Sequence, residues 1–195
     1  MKLLEDYIVE KGKVIGDDIL KIDMFLNHLI DVDLLNEMGK EFHRLFGSKN
    51  VTKILTIEAS GIGIACIAAQ YFSVPVLFAK KGMHRNVGSN LYTADIYSYT
   101  KGITTTVGVS KDYLTADDRV LIIDDFLADG NASLGLLDLI AQAGATLAGI
   151  GIAVEKGFQN GRSKLLAKGC DLESLAVIKS MEGGKIVFAS PDDLR

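Results

Sequence analysis

From Lys53 onward the chain repeats one pattern: a short apolar run, a turn of small or polar residues, then a segment of helical length. "KILTIEA" reads as a strand, "GIGIACIAAQYF" as a helix and "VPVLFAKK" as a strand; "DRVLIIDDF", "NASLGLLDLIAQAG" and "TLAGIGIAVEK" repeat that order. Strands this apolar have both faces covered, and parallel neighbours need a long crossover between them. The pattern therefore predicts an α/β fold, with a central mostly parallel sheet flanked by helices. Between the two halves, "LYTADIYSYTKGITTTVGVS" alternates, is rich in Thr and Tyr, and turns at Lys101-Gly102, which predicts an antiparallel β-hairpin protruding from the sheet.

Ahead of the sheet, residues 1–9 place Leu3, Leu4, Tyr7 and Ile8 at helical spacing, and Gly12 and Gly16 interrupt. "ILKIDMFLNHLID" alternates as a strand or an irregular lid segment, and "VDLLNEMGKEFHRLFGS" is an amphipathic helix closed by Gly47. With 195 residues, 48% of them hydrophobic, one sizeable core is expected, so residues 1–195 read as a single domain with a hood within residues 1–32.

Charge and composition exclude several classes. A net charge of −4 supplies no basic field for nucleic acid. The N-terminus has acids inside its apolar run, and no stretch of 18 uninterrupted apolar residues occurs, which argues against a signal peptide or membrane span and for a soluble, cytoplasmic protein. Cys66 and Cys170 lack CxxC spacing, and His28, His43 and His84 lack metal-ligand spacing, so neither a disulfide framework nor a zinc site is indicated.

In open α/β sheets the ligand site lies at the carboxyl ends of the strands, which directs attention to the loops after Ile57, Ala79, Ile123 and Val154. The first, "EASGIG", has Ser and two Gly ahead of a helix, where backbone amides can approach an anion. It is not a dinucleotide fingerprint: Cys66 stands where the third Gly belongs, and the next strand ends in Lys80 and Lys81 rather than an acid. No GxxxxGK[ST] motif is present either. "VLIIDDFLADGNA" is the most informative stretch. An apolar strand carries Asp124 and Asp125 to the sheet edge, and a small-residue turn then opens a helix, where amides near 129–133, the Asn131 side chain and the Ser133 hydroxyl can surround a phosphate. Adjacent carboxylates repel a phosphate, so they make sense facing another part of the same ligand, either vicinal hydroxyls or hydrated Mg²⁺. The plain structural alternative is that both acids end a strand and Asp129 caps the helix.

The "VLIIDDFLADGNA" stretch resembles the phosphoribosyl-diphosphate motif of the type I phosphoribosyltransferases. "IEASGIG", "FAKKG", the hairpin and "VEKGFQNGRSKL" resemble that family's other segments in order, over roughly residues 33–170. The closest branch is the adenine-type one, and within it the bacterial enzymes that use xanthine. The resemblance implies a homodimeric purine-salvage transferase whose substrates are xanthine and 5-phospho-α-D-ribose 1-diphosphate, bound with Mg²⁺. It implies that Asp124 and Asp125 face the ribose hydroxyls and, directly or through water, the metal. The resemblance further implies that Ala128, Asp129, Gly130, Asn131 and Ala132 surround the 5-phosphate; Asp129 is expected to turn outward as a cap. By the same resemblance Glu58, Ala59, Ser60 and Gly61 are expected to hold the diphosphate, with a cis peptide at Ala59-Ser60, and Lys80 and Lys81 to offset its charge. Leu20, Asn27, Lys156 and Phe158 are expected around the purine, and residues 84–105 as a flexible lid. Adenine or guanine/hypoxanthine transfer, or a regulator that senses the sugar diphosphate, are the alternatives. Only about 50 residues precede the sheet, without a helix-turn-helix pattern or basic cluster, which disfavours the regulator.

Two departures from the family matter. Ala128 replaces an Asp that accepts the purine proton in hypoxanthine-guanine enzymes. Where adenine enzymes have a loop Glu, this chain has Tyr99, Thr100 and Lys101. Xanthine is the most acidic of the common salvage purines, so a placed lysine that selects its anion removes the need for a general base.

Overall fold

The computed structural model describes residues 1–16, 18–82, 90–98 and 102–194. Its sheet strands are β3 (Lys53–Ile57), β4 (Val76–Lys81), β5 (Leu91–Ser98), β6 (Ile103–Ser110), β7 (Arg119–Leu127), β8 (Thr146–Lys156), β9 (Leu172–Ser180) and β10 (Val187–Phe188). They run in the order β10-β9-β8-β7-β3-β4-β6-β5. The pairs from β9 through β4 are parallel, and β10, β6 and β5 are antiparallel additions at the two edges. A separate hairpin, β1 (Lys13–Ile15) and β2 (Ile19–Lys21), forms the hood with a π-helical turn over Asp23–Asn27. "ILKIDMFLNHLID" is thus a three-residue strand followed by a turn.

Strand alternation divides the core in two. Ile54, Leu121 and Ile123 point to the face covered by α1 (Lys2–Lys11), α2 (Val32–Phe46) and α3 (Ser60–Phe72). Leu55, Val120 and Ile122 point to the opposite face, against Leu136, Leu139 and Ile140 of α4 (Asn131–Ala143) and Leu165 of α5 (Gly161–Leu166). This is the two-sided burial that the unbroken apolar runs require. Helix α2 shows how local sequence and packing agree: the Asp31 side chain caps it by accepting from the Leu34 amide at 3.1 Å. Leu34, Leu35, Met38, Phe42 and Phe46 are its buried stripe, each worth about 1.5–3 kcal/mol of apolar burial.

The β5–β6 hairpin pairs with β4 at Lys80↔Gly108 and Lys81↔Val107. Its other face is tied to α4, where the Gln142 amide donates to the Thr93 carbonyl at 2.8 Å. The lid expected over 84–105 falls partly on 83–89 and 99–101, outside the described residues. Among the described residues, no helix is long and apolar enough to cross a membrane.

Candidate active site

Parallel strands deliver their carboxyl ends to one sheet edge, and here β3, β4, β7 and β8 bring residues that follow Ile57, Ala79, Ile123 and Val154 together there. Two adjoining cavities open there, sharing Ile96, Phe126 and Ala132 as a wall. The first, about 310 Å³, is lined by Glu58, Ala59, Ser60, Lys81, Asp124 and Asp125 among others. The second, about 620 Å³, is lined by residues 126–133 together with Asp18, Ile19, Lys156 and Gln159.

Asp124 is only 3% exposed. Burial, and then the neighbouring Asp125 carboxylate, hold it well above the usual aspartate range. Its Oδ1 accepts from the Asp125 amide at 3.0 Å. Asp125 is half-buried, and its Oδ2 accepts from the Asn27 side chain at 3.3 Å, which links the hood to the acidic pair. Gly61 is required by close approach: a Cβ there would come within 2.0 Å of Thr56 Oγ1 and 3.0 Å of Asp124 Oδ1. The Thr56 hydroxyl, fully buried beneath α3, has no hydrogen-bond partner among the described residues. The paired carboxylates suit a hard cation that keeps water and substrate oxygens in its shell. Among the described residues, no group of three or more His, Cys, Asp or Glu is placed to hold a metal by itself.

Four expectations need correction. The cis peptide is Glu58-Ala59, one bond earlier than Ala59-Ser60, because α3 already begins at Ser60 and Ala59 is its N-cap. Lys80 and Lys81 do not act together, because successive strand residues point to opposite faces. Lys81 lines the first cavity, whereas Lys80 lies in a separate one with Phe78 and Tyr113. Asp129 does not cap α4: the N-cap is Gly130, at φ +82°, and no side chain caps the helix. Asn131 also differs, in that its side chain donates to the Tyr97 carbonyl at 2.9 Å, leaving its backbone amide for a ligand.

The four purine residues are distributed unevenly. Lys156 lines the second cavity and donates to the Asp18 carbonyl of the hood at 2.6 Å. Burial lowers it below the usual lysine range, against the pull of Asp18 and Asp129. Asn27 is drawn to Asp125, Leu20 is buried in the core beneath the hood, and Phe158 stands 41% exposed. The sequence reading also missed Glu155, Arg162 and Lys164. Glu155 is 1% exposed and accepts from Arg162 through both carboxylate oxygens at 2.7 Å, and from the Ser174 hydroxyl at 2.5 Å. An acid inside the apolar run "GIAVEK" was the available signal, since a buried carboxylate needs a cation or several donors.

A strand-borne acid pair beside two turns that each open a helix is the arrangement expected of a phosphoribosyl-group transferase. Residues 21–186 match the family model described as the phosphoribosyl transferase domain, and the chain belongs to that family. It is 62% identical to a xanthine phosphoribosyltransferase of Ruminiclostridium cellulolyticum, across 96% of this chain and 99% of the relative. A xanthine phosphoribosyltransferase of Lacticaseibacillus casei is 52% identical, across 98% and 100%. Among solved structures, adenine phosphoribosyltransferase from Rhodothermus marinus superposes with a TM-score of 0.72 at 20% identity, covering 91% of this chain and 100% of its own. The Saccharomyces cerevisiae enzyme gives 0.72 at 19%, covering 90% and 99%. At those identities the structural likeness speaks for the fold, a type I phosphoribosyltransferase sheet.

Proposed function

We propose that this chain performs purine salvage, moving the 5-phosphoribosyl group of 5-phospho-α-D-ribose 1-diphosphate to N9 of xanthine. The ribose C1–O bond to diphosphate breaks, a C1–N9 bond forms, and the products are xanthosine 5′-monophosphate and diphosphate. The observation that carries the reading is the pair of adjoining cavities with a helix-opening turn in each, and Asp124 and Asp125 in the first of them, next in the chain to Phe126 of the wall the two share. That spacing fits a sugar with a phosphate group at either end. The choice of xanthine rests on relatives of that name at 52–62% identity along nearly the whole chain.

In this reading the 58–61 turn and Lys81 receive the leaving diphosphate, and the backbone amides of 128–132 receive the 5-phosphate. Asp124 and Asp125 accept hydrogen bonds from the ribose hydroxyls and favour the positive charge that develops on the ring. They would also hold Mg²⁺ through water, and that ion supplies charge neutralisation at the leaving group. Lys156 donates to an exocyclic oxygen of the base and favours its anion, while Asn27, Leu20 and Phe158 shape the surroundings of the ring. Fixing both reactants in line contributes through orientation. The highly charged substrate and product do not cross membranes unaided, which sets the reaction in the cytoplasm. Exposed Met24, Leu29, Ile30 and Val32, from the turn of the hood to the first residue of α2, are the candidate face of a homodimer.

Diphosphate release with each purine in turn, in the presence of Mg²⁺ and the sugar diphosphate, tests the reading. Xanthine should give a kcat/KM at least about tenfold above hypoxanthine and adenine, the scale of one charge-assisted hydrogen bond. A preference for adenine would overturn the base assignment, and no release with any purine would overturn the activity.

A further inference from the structure

The 128–132 turn is fixed from behind. The Gly161 amide donates to the Ala128 carbonyl at 3.0 Å, and Lys164 Nζ donates to the Asp129 carbonyl at 2.9 Å. The next carbonyl, of Gly130, accepts from the Leu134 amide at 2.9 Å within the first turn of α4. A trans peptide unit is planar, with its N–H directed opposite to its C=O. Fixing three successive carbonyls therefore fixes the directions of three successive amides, those of Asp129, Gly130 and Asn131. Two of the three carbonyls are held by α5.

The helix that does this is itself clamped. Gly161 sits so close that a Cβ would come within 2.3 Å of the Ala128 oxygen and 2.7 Å of Leu127 Cδ1. Arg162, the next residue, is held by buried Glu155, which is anchored in turn by Ser174 of β9. A continuous chain of contacts thus runs from β9 and β8 through α5 to the turn. Lys164 has a further effect: the only charged side chain between 128 and 133 is that of Asp129, whose sign opposes a phosphate, and Lys164 brings a cation to the same peptide.

We propose that α5 is the brace of the phosphate turn, with Lys164 and Arg162 as positioning residues that aim the amides of residues 129–131 at the ester end of the sugar diphosphate. The proposal rests on the reading of 128–132 as the 5-phosphate site. Neither residue needs to touch substrate.

Two probes separate the ends of the site. Ribose 5-phosphate carries the ester and the diol, whereas inorganic diphosphate carries only the other end. Each is titrated by calorimetry into the full chain with Mg²⁺ present, alongside steady-state kinetics. Lys164→Met should weaken ribose 5-phosphate about tenfold while leaving diphosphate within about twofold, since one charge-assisted hydrogen bond behind the turn is lost. It should raise KM for the sugar diphosphate more than it lowers kcat, and Lys164→Arg should restore most of the loss. If Lys164→Met binds ribose 5-phosphate as the parent does, the brace is wrong and the site reading stands. Equal weakening of both probes also overturns the brace, because the damage is then general. If the parent chain itself fails to bind ribose 5-phosphate, the site reading falls and takes the brace with it.

Discussion

Asp118 stands just before β7 and Asp124 lies near its far end, so one strand has an aspartate at each edge of the sheet. At the amino edge, Asp118 is saturated: Lys53 donates at 2.7 Å, the Thr115 amide at 2.9 Å and the Thr52 hydroxyl at 3.3 Å. Partial burial pushes its carboxyl up, but Lys53 and Thr115 outweigh that and leave it below the usual range. At the carboxyl edge, Asp124 accepts from its neighbour's amide, and burial and Asp125 push it well above that range. The lysines differ in the same way. Lys53 spends its charge on Asp118, while Lys156 donates to a neutral carbonyl. Like residues on one strand thus differ: Asp118 has its hydrogen-bonding capacity taken up internally, and Asp124 keeps acceptor capacity that the proposed function gives to a ligand.

The sharpest way to break this contrast is Asp124→Asn. Removing the carboxylate from the ribose site should lower kcat/KM by about 10³-fold, the scale of losing one preorganised electrostatic group. The same change should stabilise the fold. A raised carboxyl means the native chain holds a proton that the unfolded chain releases. The stability from Asp124 is therefore full below the usual aspartate value of about 3.9 and is lost as pH rises through the raised one. Asp124→Asn should accordingly raise Tm at pH 7 by about 2–4 °C for each kcal/mol recovered. A variant that is inactive and also less stable would show that Asp124 is structural after all.

Lys156→Met probes the lysine half of the contrast. It should raise KM for xanthine about 10- to 100-fold, and far less for guanine, if the ammonium selects the xanthine anion. Because burial lowers Lys156, the parent chain should lose xanthine affinity on the alkaline side before pH reaches the usual lysine value of about 10.4, and the variant should lack that limb. Equal effects on both purines would overturn anion selection.

The sequence disclosed this architecture unevenly, for physical reasons. β7 and β8 were legible because strands covered on both faces are almost wholly apolar. The "LESLAVIKS" run of β9 carries Glu173, Ser174 and Lys179 among its apolar residues, and the strand–helix pattern drawn from the sequence does not reach it. Asp124 and Asp125 were visible as charge at the end of an apolar run. The crowding of Gly61 against Thr56 and Asp124 was not, because it arises from the parallel register of β3 and β7, which pairs Leu55 with Ile122. The separation of Lys80 from Lys81 follows from strand alternation and was readable in principle. The brace formed by α5 depends on a contact between loops after different strands, for which linear sequence has no marker beyond a buried Glu155.

Asp118→Asn tests the amino edge with the smallest expected effect. It leaves Lys53 without its anion in a partly buried site and should cost about 1–3 kcal/mol, with kcat and both KM values within about twofold of the parent. Its pH signature is opposite to that of Asp124. A lowered carboxyl contributes stability that is present above the usual aspartate value of about 3.9 and is lost as pH falls through the lowered one. The parent and Asp118→Asn should therefore differ in urea midpoint at pH 7 and converge as the solution is acidified. If activity fell as far as stability, the amino edge would be coupled to the reaction, and the division of labour between the two ends of β7 would not hold.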